Sequence, residues 1–310
     1  MKTLLEKIHA RFAIVNRGFD QVNLRGSVGA VTYRRVGGET IASQKVPPKQ
    51  TFKPTWALMY RRMLWPNLVA LFRLLNVVGW HPSFMGKAPR VSDFNEFMKR
   101  NVSDDATRVF LQKPTAEAGG AIVAPVLVSR GDLPTINFTF SDEDNQLISS
   151  LNTAGLVIGA STSVATFSEI IVENNPGFNY GDQLTIVVAQ QLFDETTNFP
   201  TVKVTTGKIV LDGESIDLLA DLDVLELLAV NDGKLALPAN LSGGGTFIHS
   251  IDVAGEETRV STQKISMTGN VPRAYTSLQA FEAAADSYGG VRSAQYLTPR
   301  SGADEVFPQA

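Results

Sequence analysis

Few residues in this sequence could carry out acid–base or metal chemistry. The 310-residue chain has no cysteine and only three histidines, His9, His81 and His249, which lie far apart. Without cysteine there can be no disulfide and no thiolate metal ligand. A Ser-His-Asp triad needs an activated nucleophile, and no Gly-x-Ser-x-Gly elbow is present. The sequence therefore predicts no catalytic residue, no metal site and no cofactor.

Two glycine-rich motifs and one acidic run could in principle bind phosphate or calcium. Gly243-Gly244-Gly245 and Gly26-Ser27-Val28-Gly29 lack both the Lys-Ser/Thr ending of a phosphate loop and the dinucleotide-binding spacing. They are predicted to form turns or closely packed backbone. The run Asp142-Glu143-Asp144 does not continue as a calcium loop, because Leu147 stands where that loop needs glycine. We expect a solvated hairpin turn there.

Charge is distributed very unevenly along the chain. The net charge is −3, yet residues 1–100 hold 17 Lys and Arg against 5 Asp and Glu, and residues 101–310 hold 11 against 26. The basic part could contact nucleic acid, form a solvated face whose arginine stems cover apolar surface, or form a subunit interface. The acidic counterpart in the same chain favours the interface. The candidate interface residues are Arg34, Arg35, Trp56, Arg61, Arg62, Asp142, Asp144, Asp221 and Asp223.

Helices and one hairpin are predicted in the basic part. Residues 1–20 have the apolar spacing of a short helix, and residues 24–46 that of a hairpin. Residues 54–78 are predicted to form two helices, because Pro66 is expected to open the second one. A third helix is predicted to begin near Ser92 or Asp93, with Glu96 placed for a capping box. We expect the apolar residues of these helices to be buried between helices or against a neighbour, in particular Trp56, Trp65 and Phe72.

The chain changes character near residue 122. Short β runs separated by turn residues recur every 8–14 positions, which is typical of a β-sandwich. The run 216–230 fits the helical and the strand period, and residues 276–288 are predicted to form a helix. The β runs are predicted at 122–129, 134–140, 155–160, 166–172, 183–193, 201–211, 246–253 and 258–267.

The order of these parts resembles a family of uncharacterised proteins from gut Bacteroidota and their bacteriophages. The resemblance covers residues 22–195. The motifs that carry it are Gly26-Ser27-Val28-Gly29, the strand Thr32-Tyr33-Arg34-Arg35, the helix Phe94-Asn95-Glu96-Phe97-Met98, the strand Val128-Ser129-Arg130-Gly131-Asp132-Leu133 and the run Gly181-Asp182-Gln183-Leu184-Thr185-Ile186-Val187. The resemblance implies an immunoglobulin-like β-sandwich. Related proteins occur as tail and ring components of crAss-like phage virions.

An α+β fold follows from these observations taken together. A small helical and hairpin N-terminal region precedes the immunoglobulin-like β-sandwich, a further β-rich segment, and a C-terminal helix with an extended tail. The expected boundaries are 1–120 for the basic hairpin-plus-helices region, 121–195 for the sandwich, 196–275 for the second β-rich segment and 276–310 for the helix and tail.

The expected function is that of a structural virion protein, not an enzyme, which assembles head to tail into a ring of a bacteriophage tail. A basic face and an acidic face on one chain pair naturally head to tail, and such contacts close into a ring when the rotation allows. The expected partners are copies of itself, other tail proteins of the virion and, non-specifically, DNA. The chain is expected to be made in the host cytoplasm, without a signal peptide or membrane span. The alternatives are a glycan- or protein-binding module on the β-rich part and a virion-associated hydrolase.

Overall fold

Two compact units make up the chain, residues 1–53 and 54–310, whereas the sequence predicts boundaries at 120/121, 195/196 and 275/276. The computed structural model describes residues 12–14, 26–28, 30–36, 39–44, 56–80, 83–104, 107–113, 120–195, 200–252, 258–269 and 278–288. Over these residues the fold is mixed α and β, with most of the regular structure in open β-sheets.

The first unit contains a four-stranded antiparallel sheet. Its strands are β1 (Phe12–Ile14), β2 (Gly26–Val28), β3 (Val31–Val36) and β4 (Glu39–Gln44), in the order β1-β4-β3-β2. Strands β3 and β4 pair with Val36 opposite Glu39, which confirms the predicted hairpin. The helix predicted over 1–20 is wrong at residues 12–14, because β1 pairs with β4; a short isolated helix is marginal, and the sheet supplies backbone partners instead. The rest of 1–20 lies outside the described residues.

Four α-helices are described in the second unit: α1 (Trp56–Val77), α2 (Asp93–Val102), α3 (Val164–Asn174) and α4 (Leu278–Ser287). The prediction of two helices over 54–78 is wrong, because α1 continues through Pro66. Proline cannot donate to the carbonyl four residues earlier. That carbonyl, on Arg62, accepts a hydrogen bond of 2.8 Å from the Tyr288 hydroxyl instead. The helix predicted at 276–288 is confirmed by α4.

Helices α2 and α3 each begin at a serine whose side chain caps the first turn. Ser92 caps α2 by accepting from the Asn95 backbone N–H at 3.2 Å. The predicted capping box is not formed, because Ser92 is the N-cap and Asn95 therefore occupies the third helical position. The Glu96 carboxylate accepts from Arg100 Nε at 2.7 Å instead. The strand predicted at 166–172 is wrong. Ser163 caps α3 there by accepting from the Thr166 N–H, and every third or fourth side chain of that segment faces the core.

The strands of the second unit form three sheets. The strands are β5 (Ser83–Phe84), β6 (Leu127–Arg130), β7 (Phe138–Ser141), β8 (Gln146–Asn152), β9 (Gln183–Phe193), β10 (Pro200–Val210), β11 (Ala229–Asn231), β12 (Lys234–Ala236), β13 (Gly243–Ile251), β14 (Arg259–Val260), β15 (Gln263–Lys264) and β16 (Ser266–Met267). The first sheet has the order β10-β9-β13-β14 with β16 also paired to β13, the second β11-β12-β8-β7, and the third β15-β6-β5.

The sheet around β9 separates two apolar clusters. Along β9, Leu184 and Ile186 face one cluster, while Val187 and Ala189 face the other, as the two-residue period of a strand requires. The first cluster, which Val187 and Ala189 face, packs this sheet against α1, α2 and residues 121–128. The second cluster, which Leu184 and Ile186 face, packs it against α3 and the sheet that contains β8. Because β9, β10 and β13 share this sheet, the predicted boundary at 195/196 falls within the hairpin that joins β9 to β10.

Gly243-Gly244-Gly245 begins the central strand β13 rather than forming a turn. A Cβ at Gly245 would lie 2.5 Å from Leu237 Cδ1 and 2.7 Å from the Val187 carbonyl oxygen. Of the two structural explanations expected for this motif, close backbone packing is therefore the one observed. No helix among the described residues is both long and apolar enough to cross a bilayer.

Candidate interface groove around Trp65

Trp65 lies on the surface of α1, with 45% of its area exposed. The prediction that it is buried between helices is wrong for this chain; burial against a neighbour stays a prediction. Two cavities open beside its ring. One, of about 590 Å³, is lined by Arg61, Arg62, Trp65, Pro66, Lys113 and Tyr288. The other, of about 330 Å³, is lined by Trp65, Asn95, Met98, Lys99, Val102 and Ser103. We call the larger cavity, with the exposed Trp65 ring, the Trp65 groove.

Helical spacing accounts for one wall of the Trp65 groove. Arg61 and Arg62 precede Trp65 by four and three residues, so all three lie on one face of α1. The opposite face of the same turns is buried, because Met63 and Leu64 pack against Phe110 and against the alanines of α4. This packing fixes the helix while leaving the tryptophan and the two arginines in solvent.

Residues far along the chain supply the other wall. The Lys113 backbone N–H donates to Ser287 Oγ at 2.8 Å, which joins the segment after α2 to the end of α4. The Tyr288 hydroxyl donates to the Arg62 carbonyl oxygen. These bonds hold Lys113 and Tyr288 beside α1, and the groove is therefore a fixed feature of the folded unit.

The groove is cationic. Arg61, Arg62 and Lys113 line it, and no carboxylate does so among the described residues. Within that same part of the chain, no carboxylate lies within ion-pair distance of Arg61 or Arg62. Burial raises the pKa of the Tyr288 hydroxyl above 10.0, and the charge of Arg62 opposes this shift. Tyr288 is therefore neutral at physiological pH and leaves the positive charge of the groove uncompensated.

The structure brings together only part of the predicted interface. Arg61 and Arg62 line the groove, whereas Arg34 is exposed on β3 in the other unit. The side chains of Arg35 and Trp56 lie outside the described residues. The acidic candidates, all of them exposed, are Asp142 and Asp144 on the turn between β7 and β8, and Asp221 and Asp223 in the segment that follows β10.

Three groove residues escape the sequence-based prediction. Trp65 is predicted to be buried because it lies in an apolar run, although its spacing from Arg61 and Arg62 could have placed it on the polar face. The sequence around Lys113 and Tyr288 does not indicate that they approach α1, since the hydrogen bond between Tyr288 and Arg62 spans 226 residues of sequence.

A polar cleft of about 430 Å³ lies beside Trp80 and is the natural place for the glycan-binding alternative. Three of its polar lining side chains make hydrogen bonds within the chain. The Thr206 hydroxyl donates to the Val78 carbonyl, while Gln183 and Thr258 both donate to Asp252. These two bonds lower the pKa of the Asp252 carboxyl. Ser83, Thr185, Lys208 and Ser250 also line the cleft, and the Trp80 indole N–H makes no hydrogen bond among the described residues. The glycan-binding alternative therefore stays a prediction.

A buried pair, His249 and Asp182, bears on the hydrolase alternative. His249 Nε2 lies 2.8 Å from Asp182 Oδ2, and the Phe178 ring stacks on the imidazole at 4.1 Å. A catalytic dyad would need a hydroxyl at the other ring nitrogen. No hydroxyl is hydrogen-bonded to this ring among the described residues, and neither partner lines the Trp65 groove or the cleft beside Trp80. The geometry favours a packing role for the pair.

Comparison of the chain with protein-family models, curated proteins and solved structures finds no match. The family resemblance and the immunoglobulin-like assignment therefore stay predictions. The described residues also contain no cluster of three or more side chains that could hold a metal ion.

Proposed function

We propose that this chain is a structural subunit that assembles head to tail with copies of itself, as a ring component of a bacteriophage tail. The observation that carries the proposal is the Trp65 groove. It combines an exposed tryptophan, two arginines without ion pairs among the described residues, and a preformed apolar floor. Tryptophan and arginine are the residue types most enriched at the energetic centres of protein interfaces.

Charge supports self-association over a partner of another kind. The groove is positive, whereas the chain beyond residue 100 has an excess of acidic residues. A second copy therefore provides a surface of opposite charge, which favours correct orientation and disfavours groove-to-groove contacts. Because the two complementary surfaces belong to different parts of one chain, contact between them leaves one surface free on each copy, and the assembly can grow or close.

The virion role and the immunoglobulin-like sandwich belong to the same proposal, and both depend on the sequence resemblance over residues 22–195. What supports the sandwich is the second apolar cluster, to which two antiparallel sheets contribute. Helix α3 is an addition to that arrangement. Fold alone does not determine function, so the role is tested by assembly.

The test is the mass of the purified chain in solution over a range of concentrations, measured by light scattering after size exclusion. We expect species larger than a dimer, and closed rings by electron microscopy. Reversing Arg61 and Arg62 to Glu should abolish them while leaving the fold intact, because both side chains are exposed. Arg73→Glu is the matched control, since it reverses an exposed charge on the same helix outside the groove.

The main competing function is nucleic-acid binding by the same cations. It predicts that the wild-type chain stays monomeric and retains duplex DNA. That retention should fall about a thousandfold or more between low and moderate salt if six or more phosphates are contacted. A monomer that holds DNA in this way, and loses it in the Arg61/Arg62 variant, would overturn the assembly proposal.

A further inference from the structure

The segment that joins β10 to β11 carries an unusual concentration of exposed acid. Residues 212–226, which we call the acidic loop, contain no lysine or arginine. All of their acidic side chains are exposed: Asp212, Glu214, Asp217, Asp221, Asp223 and Glu226. A surface this negative repels copies of itself and attracts a positive one.

An exposed isoleucine lies between Glu214 and Asp217 in the acidic loop. Ile216 is 91% exposed, the largest exposed fraction among the large apolar side chains of the described residues. Single exposed apolar residues are common on protein surfaces. Here, however, an almost fully exposed aliphatic side chain lies in a segment whose charged residues are all acidic and exposed, and apolar anchors beside polar groups are typical of protein interfaces.

The acidic loop is held in shape by the body of the unit. Leu211, just before the loop, and Leu219 and Val224 within it are fully buried in the second apolar cluster. The Asp217 carbonyl accepts from the Val164 N–H at 2.8 Å, and the Leu219 N–H donates to the Thr162 carbonyl at 2.9 Å. Because these contacts already fix the backbone, docking the loop costs little additional ordering entropy.

We infer that the acidic loop of one copy is the occupant of the Trp65 groove of the next, with Ile216 inserted against Trp65 and Pro66. This inference rests on the proposed function and names the surface that completes it. Two complementarities carry it. The groove is lined by Trp65, Pro66 and Tyr288 together with the cations Arg61, Arg62 and Lys113, and the loop carries an exposed isoleucine together with six exposed carboxylates.

The two surfaces remain available in the single chain. Trp65 is 45% exposed and Ile216 is 91% exposed, so neither covers the other within one copy. They also belong to different packing clusters, because α1 beside the groove packs in the cluster with α4 while the loop packs against α3. The apolar insertion supplies most of the affinity, and the exposed ion pairs around it set the register.

The first test is a mixing experiment with two variants. The Ile216→Lys variant has an intact groove, but its loop carries a positive charge that the cationic groove repels. The Arg61/Arg62→Glu double variant has an intact loop and a disrupted groove. We expect each alone to weaken self-association by about thirtyfold or more, the loss expected for one anchor residue. Mixed together, they should form a 1:1 pair that cannot grow, because only one intact groove and one intact loop are present. Val77→Lys is the matched control, since Val77 is 83% exposed on α1 outside the groove.

The second test uses the absence of native cysteine. A Lys113→Cys chain mixed with a Glu214→Cys chain should give a cross-linked heterodimer with a short bis-maleimide, because both positions are exposed and the substitutions leave Trp65 and Ile216 in place. Replacing the second chain by Val77→Cys should give none. Circular dichroism and melting temperature verify that each variant is folded.

The possible outcomes separate the inference from the function on which it rests. If Ile216→Lys assembles like the wild type while the arginine double variant does not, the loop is not the occupant, and the groove still serves assembly. If the wild-type chain is monomeric at all accessible concentrations, both proposals fall. If the wild-type chain is monomeric and binds duplex DNA, and only the Arg61/Arg62→Glu variant loses this binding, then a nucleic acid occupies the groove.

Discussion

The Tyr288 hydroxyl donates a hydrogen bond of 2.8 Å to the Arg62 carbonyl oxygen, the backbone acceptor that Pro66 leaves without its helical donor. One turn of α1 is therefore completed by a side chain from beyond the end of α4. The next carbonyl, on Met63, accepts from the Leu111 backbone N–H at 3.1 Å. Pro66 is tolerated in the helix because tertiary contacts supply donors at this point.

This relationship predicts that Tyr288 and Pro66 are energetically coupled. Tyr288→Phe should lower the free energy of unfolding by about 1 kcal/mol, the net value of one hydrogen bond. In a Pro66→Ala background the restored N–H can donate to the Arg62 carbonyl, so the same change should cost less. Urea unfolding of the four proteins of this double-mutant cycle measures the coupling. Equal costs in both backgrounds would contradict it.

Tyr288 also predicts a loss of stability at alkaline pH. Burial raises its pKa above 10.0 in the folded chain, so the neutral hydroxyl is favoured over the phenolate. Its contribution is therefore fully present below the pKa of the unfolded chain and disappears as pH rises through the folded-state value. The melting temperature of the wild type should fall more steeply above pH ~10 than that of Tyr288→Phe. The difference in phenolate absorbance between the two proteins should titrate above the ordinary tyrosine range.

Close packing of β13 predicts a strong effect of one added methyl group. Gly245→Ala should destabilise the chain by about 1–3 kcal/mol, because its Cβ would overlap Leu237 and the Val187 carbonyl. Gly159→Ala is the matched control, since a Cβ at Gly159 meets no atom within 4 Å. That change should be neutral or slightly stabilising. Similar unfolding midpoints for the two variants would show that β13 can move aside.

The buried His249–Asp182 pair predicts a change in stability when the histidine is removed. His249→Ala leaves the Asp182 carboxylate without the imidazole and should cost about 1–3 kcal/mol or more. Asp182→Asn keeps an oxygen acceptor for the ring and should cost less. A catalytic pair would behave differently: Asp182→Asn would preserve the fold and abolish a hydrolytic activity of the wild type. Chemical unfolding, together with an assay on glycan and peptide substrates, distinguishes the two roles.

The sequence predicts well those elements whose local pattern and burial agree. Strand β9 is predicted at residues 183–193 and is observed there, because its run Thr185-Ile186-Val187-Val188 is β-branched and buried on both faces, which leaves little choice of conformation. The segment 166–172 has similar composition, yet it forms part of α3. There Ser163 at the first turn, with Val164, Phe167 and Ile171 at helical spacing, outweighs β propensity.

The groove is less predictable than the fold, because it is built from residues that share no local pattern. Arg61 and Arg62 could be chosen from charge, and their spacing from Trp65 could have indicated a common face. Lys113 is held near that face by the hydrogen bond from its backbone N–H to Ser287, and Tyr288 by its hydrogen bond to the Arg62 carbonyl, which Pro66 leaves without a helical donor. Ile216 could not be recognised as an anchor, because the run 216–230 fits two periods and its exposure is decided by packing of its neighbours.

The distance in sequence between Arg62 and Tyr288 affects the order of events during synthesis. The arginines and Trp65 leave the ribosome early, but Tyr288 follows 226 residues after Arg62. Until α4 has been translated and has packed on Met63 and Leu64, the apolar face of α1 lacks that partner and the wall formed by Tyr288 is absent. A nascent or truncated chain that ends before α4 therefore cannot present the complete groove to a neighbour. If the groove serves assembly as proposed, a chain that lacks Tyr288 should fail to assemble, so the late position of Tyr288 would restrict assembly to chains that have folded α4.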